Sequence, residues 1–149
     1  MSDDLTPLEL DERGWAALPL ERDHWLDAVA VEALGSASME SANKRPFPAP
    51  RSARGATHLA AIVSLEFADA DAPILSTVSG VEGLHILLKQ SVRFAIDEPE
   101  RHRRELDVLV ALASDVAILR LSRRRDLSAL SHAGERLETW LRTGRVDQP

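Results

Sequence analysis

Apolar positions along the chain fall in blocks. The densest is Leu106–Leu121, LDVLVALASDVAILRL, interrupted only by Asp107, Ser114, Asp115 and Arg120. A helix drawn through it is apolar on nearly every side, the pattern of a helix buried by its neighbours. A central helix is therefore predicted from about Pro99 to Ser122. Shorter periodic segments surround it. Thr6, with Glu9 three residues on, has the spacing of a capping box and predicts a short helix to Leu18, stopped by Pro19. Trp25, Leu26, Val29, Ala30, Ala33 and Leu34 predict a second helix over about 20–34, closed by Gly35. Thr57 can cap a helix over 58–68. A strand over 61–67 is the alternative there, set aside because no partner strand lies nearby in sequence. Residues 73–96 read as one long helix or two, weakened by Gly80 and Gly83. Val81, Leu84, Leu88 and Val92 line one face of it. Asp126 can cap a last helix over about 127–141, with Leu130, Ala133, Leu137, Trp140 and Leu141 at helical spacing and Gly144 as its end.

Together these elements predict an all-α fold, a compact bundle of about five helices around a buried central helix at 99–122. The whole of 1–149 is expected to be one helical domain. Its clearest interruption is the stretch KRPFPAPRSAR at 44–54, where three alternate prolines forbid a helix and four residues are basic. Composition points the same way: Leu and Ala dominate, aromatics are 4% and Tyr is absent. The chain has no cysteine, which excludes disulfides, thiolate metal sites and a cysteine nucleophile. Its N-terminus is acidic without an apolar run, and the central stretch is too short and too charged for a membrane span. A cytoplasmic protein without membrane association is expected.

Charge is uneven within the net −6. Residues 1–40 carry ten carboxylates against Arg13 and Arg22. Basic clusters at Arg101, Arg103, Arg104 and at Arg120, Arg123, Arg124, Arg125 bracket the central stretch. No aromatics interleave them, so a platform for stacking single-stranded nucleic acid is missing, and nucleic acid is the less favoured partner.

Three patterns carry candidate chemistry. Glu-x-x-His occurs twice, as Glu21/His24 and Glu82/His85. This spacing places carboxylate and imidazole on one helix face and resembles the ligand pairs of ferritin-like di-iron bundles. That resemblance implies a metal site of Glu82 and His85 with Glu66 and Glu105 as further ligands. The segment RDLSALSH at 125–132 resembles the Arg-polar-His signature of HEPN-domain ribonucleases, which are all-α proteins. The resemblance implies Arg125 as the stabiliser of phosphate charge and His132 as general acid or base. The third pattern is the excess of apolar helix surface itself, which marks interaction sites. The function best supported by sequence is that of a non-catalytic helical protein, a self-assembling subunit or adaptor. It would act by helix–helix association through Leu88, Val92, Leu109, Leu112 and Val116. The partner is then a second copy, most simply in a dimer, or another protein. No cofactor is expected.

Overall fold

The computed structural model of the chain overturns the all-α expectation: the protein is mixed α/β. The structure describes residues 6–19, 23–26, 45–48, 55–91 and 98–146. Contacts divide the chain into two compact units, Met1–Leu59 and Ala60–Pro149.

In the first unit, β1 (Leu8–Asp11) and β2 (Gly14–Ala17) form a hairpin, and β5 (Thr57–His58) pairs with the outer side of β2. The turn between β1 and β2 replaces the expected helix at Thr6–Leu18. Asp11 accepts a hydrogen bond from the Arg13 N–H at 2.7 Å, and Gly14 takes the left-handed φ of 107° that the turn demands. Trp15 and Ala16 are buried. Separately, β3 (Asp23–Leu26) pairs antiparallel with β4 (Arg45–Pro48). The helix expected over 20–34 is thus a strand where it is described; its remainder lies outside the described residues. The basic proline-rich stretch contributes β4, whose extended backbone suits prolines, and 49–54 lie outside the described residues.

The second unit is built on a three-stranded sheet in the order β6-β8-β7. Strand β6 (Ala61–Phe67) runs parallel to the central β8 (Ala117–Arg123), and β7 (Ile74–Val78) runs antiparallel to it. Helices α1 (Gly80–Gln90) and α2 (Pro99–Asp115) lie between β7 and β8 in sequence, and α3 (Leu130–Thr143) follows β8. The expected central helix therefore splits. It starts at Pro99 as predicted, but stops at Asp115. Val116 turns extended (φ −114°, ψ 136°) while its N–H still donates to the Leu112 carbonyl, and the chain continues as β8. The cause lies in the pattern itself. A short apolar run is equally the signature of a strand covered on both faces, and periodicity alone does not separate the two.

Strand β8 is covered in that way. Leu119 and Leu121 point to one face, where with Leu75 they pack against Ala133, Leu137 and Trp140 of α3. Ile118 points to the other face, against α1. A Cβ placed on Gly83 would stand 3.0 Å from the Ile118 Cδ1, so glycine is what lets helix and sheet approach. Leu109 and Leu112 of α2 are buried, whereas Leu106, Val108 and Val110 on the same helix are exposed. Helix α3 matches its sequence signals most closely. Asp126 accepts from the Ser128 N–H at 2.9 Å at the head of a 3-10 turn (Leu127–Ala129) that leads into the helix. Gly144, at φ 66°, closes it.

Candidate functional site

The sheet of the second unit has one central strand and two edges. On the face covered by α3, the helix sits over β8 and β7. The β6 side chains of that face, Val63, Leu65 and Phe67, are left 39%, 49% and 54% exposed. The backbone of β6 has peptide groups that point away from β8, in the plane of the sheet. Ala68, just past the strand, donates its N–H to Arg123 of β8 at 2.9 Å. In a parallel ladder alternate residues bond the same neighbour. Glu66, Ser64 and Ile62 therefore turn their peptide groups toward β8. Phe67, Leu65, Val63 and Ala61 turn theirs outward, and among the described residues β6 pairs with no second strand. An edge of this kind is a template for another strand. Proteins that keep such an edge closed use lysine, proline or a bulge. Within β6 there is none, and Glu66 is its sole charge.

That charge is already engaged. Arg120, on the same sheet face as Glu66, donates from Nε to Glu66 Oε1 at 2.9 Å and from Nη2 to Glu82 Oε1 at 2.6 Å. The hydrogen bond to Glu82, with Glu66 adding to it, raises the guanidinium pKa above its ordinary value, so Arg120 stays charged. At the far end of the edge, Phe67 carries two guanidinium groups over its ring, Arg123 at 5.1 Å and Arg125 at 5.5 Å from the centroid. Arg123 is buried and fixed, donating to the carbonyls of Arg124 and Asp126 at 2.8 and 3.2 Å. Arg124 holds the β6–β7 turn through Asp69 at 3.3 Å and Asp71 at 3.0 Å. The surface is thus an apolar stripe with a line of open peptide groups, bounded by ordered charge. Such a combination of exposed apolar and charged groups serves protein–protein contact. Among the described residues, no helix is long and apolar enough to cross a membrane.

The residues singled out from sequence are distributed differently from what the helical bundle implied. Glu66 and Glu82 do meet, but on Arg120 rather than around an open position, and Glu66 stands on a strand. His85 is exposed on α1, and Glu105 is half-buried on α2. Among the described residues there is no group of three or more histidines and carboxylates that could hold a metal ion. The metal-binding helical bundle is thereby corrected. Of the other Glu-x-x-His pair, His24 lies in β3, and Glu21 lies outside the described residues. The HEPN-like reading is corrected by the fold: the helix that bears His132 covers a sheet. Arg125 stacks on Phe67. His132 lines an open groove of about 430 Å³ with Asp71, Pro73, Glu135, Arg136 and Thr139.

The helix–helix association proper to an all-α subunit is corrected as well, since the unit is built on a three-stranded sheet and its core packs on that sheet as well as between helices. Leu109, Leu112 and Val116 are buried inside the unit, Leu88 is half-buried, and Val92 lies outside the described residues. The residues that sequence reasoning passed over are Val63, Leu65 and Phe67. Their signal was present as a two-residue alternation in AIVSLEF. With the structure of the edge established, comparison with known proteins adds nothing to it: no family model, curated protein or solved structure matches the chain.

Proposed function

We propose that this protein is a strand-accepting interaction module, which takes an extended segment of a protein partner onto the open edge of β6. The observation that carries this reading is the coincidence on one strand of outward-facing peptide groups and an exposed alternating row, Val63, Leu65 and Phe67. Backbone hydrogen bonds would supply affinity, and the apolar row would select a partner with apolar side chains at every second position. Self-association, the partnership expected from the excess of apolar helix surface, falls within this reading because every copy carries the same edge.

The test uses a synthetic peptide copying residues 59–69, LAAIVSLEFAD, labelled for fluorescence anisotropy and titrated with the full chain. Saturable binding is expected for the wild type. Val63→Pro removes one outward N–H without costing a bond to β8, so it should keep the circular dichroism and lose at least tenfold in affinity. Absence of saturable binding would overturn the reading, and so would a folded Val63→Pro variant that binds as tightly as wild type.

A further inference from the structure

Resting on the strand-accepting reading, we infer that the occupant of the β6 edge is a second copy of this chain. The two β6 strands lie antiparallel about a two-fold axis through Ser64. The argument is one of charge and size complementarity read along AIVSLEF. Only residues whose peptide groups point outward can form the hydrogen-bonded pairs of a new antiparallel ladder, and these are Ala61, Val63, Leu65 and Phe67. A two-fold centred on Ser64 sets Ala61 opposite the partner's Phe67 and Val63 opposite the partner's Leu65, each pair occurring twice. It uses every outward N–H and C=O of the strand. A slip of two residues in either direction leaves a pair at the end unmatched.

The side chains agree with that register. Large meets small where Phe67 faces alanine, which leaves room for Arg123 and Arg125 above the ring. Branched meets branched at Val63 and Leu65, the kind of cross-strand pair that stabilises a sheet. A two-fold normal to the sheet keeps like faces together, so the apolar row of one copy continues into that of the other. On the opposite face, Glu66 stands across from the partner's Ile62, and the two copies of Glu66 lie at opposite ends of the pairing. Each stays neutralised by its own Arg120 at 2.9 Å. Like charges directly opposite would destabilise such a pair, and this register contains none. The contact is isologous and closes as a dimer with a continuous six-stranded sheet, the two β7 strands at its outer edges.

Ser64 gives a direct readout. At the centre of the two-fold it forms a non-hydrogen-bonded pair with its own mate, with Cα atoms about 4.5 Å apart. That lies within the roughly 4.4–6.8 Å that a disulfide spans. The chain contains no cysteine, so one introduced thiol can link only to its counterpart. The experiment combines sedimentation velocity of the wild type with mild oxidation of Ser64→Cys, Ser76→Cys and the double variant Val63→Pro/Ser64→Cys. A wild-type dimer, a disulfide-linked Ser64→Cys dimer and loss of the link in the double variant are expected. A wild-type dimer in which Ser64→Cys does not link, or in which Ser76→Cys on β7 links instead, overturns the register and leaves strand acceptance standing. A wild-type monomer at concentrations where the 59–69 peptide binds overturns the second copy as occupant and shows that the edge takes a different protein. Failure of the peptide itself to bind removes the reading on which the inference rests.

Discussion

Strands β6 and β8 pair residue for residue, AIVSLEF against AILRLSR, and their apolar positions nearly coincide. Their fates differ. Leu119 in β8 is fully buried, while the residue it pairs with, Val63 in β6, is well exposed. The sequence of a strand sets which side chains share a face. Whether that face becomes core depends on what the fold lays against it. Helix α3 covers the centre of the sheet and stops short of β6. An apolar row that in β8 stabilises the unit is in β6 left exposed.

The sharpest way to break this comparison is truncation on each strand. Leu119→Ala should cost about 3 kcal/mol, because transfer and cavity terms both apply at a site with no exposure. Leu65→Ala, measured by urea denaturation at a concentration where the chain is monomeric, should cost under about 1 kcal/mol, in line with surface substitutions. Comparable losses at the two positions would mean that the outer row of β6 is structural core and not a docking face.

A smaller effect tests how closely β8 is covered on its second face. Gly83→Ala gains helix propensity of about 1 kcal/mol but drives a methyl against the Ile118 Cδ1, and overpacking costs about 1–3 kcal/mol. The expected net is a loss near 1 kcal/mol. In an Ile118→Val background, where the Cδ1 is gone, the same substitution should turn stabilising. Equal effects in both backgrounds would show that the helix does not rest on β8 at this point. Among the described residues, Gly83 alone stands this close to a neighbouring side chain.

Part of this architecture was legible in the sequence. The start of α2 at Pro99, the Asp126 cap and the Gly144 stop are local signals, written in residues that touch each other, and each is found in place. The strands were not legible in the same way. Ala61–Phe67 has the composition and alternation of a strand, but its partner comes after two helices, and a reading along the chain sees no reason to extend it. Ala117–Arg123 does alternate from Leu119 on, with Arg120 and Ser122 on the other face, but its apolar residues follow those of α2 without a break, so a helix scan runs straight through it. At the N-terminus, Thr6 and Glu9 have capping-box spacing, yet Gly14 and the Asp11 turn favour a hairpin that a helix scan does not weigh. As for the site, Glu66 and Glu82 were singled out together and do come together. Their meeting point, Arg120, had been counted as one more member of a basic cluster.

The smallest expected effect separates the C-terminal ends of the two strands. Beyond β8, the Asp126 carboxylate accepts from the Ser128 backbone N–H and hydroxyl at 2.9 and 2.8 Å. These bonds, the backbone one first, with Arg124 and Arg123 adding their charge, hold its pKa below the ordinary carboxylate value. A depressed folded-state pKa stabilises the protein above the unfolded carboxylate value of about 3.9, and that contribution disappears as pH falls through the lower folded value. Asn keeps the capping acceptor without the charge. Asp126→Asn should therefore melt at a slightly lower temperature than wild type near pH 7, with the gap closing as the pH is taken toward 3. A gap that stays constant across this range would mean that the charge contributes nothing and the turn after β8 is held by geometry alone. At the β6 end, by contrast, Phe67 lies beneath the guanidinium groups of Arg123 and Arg125.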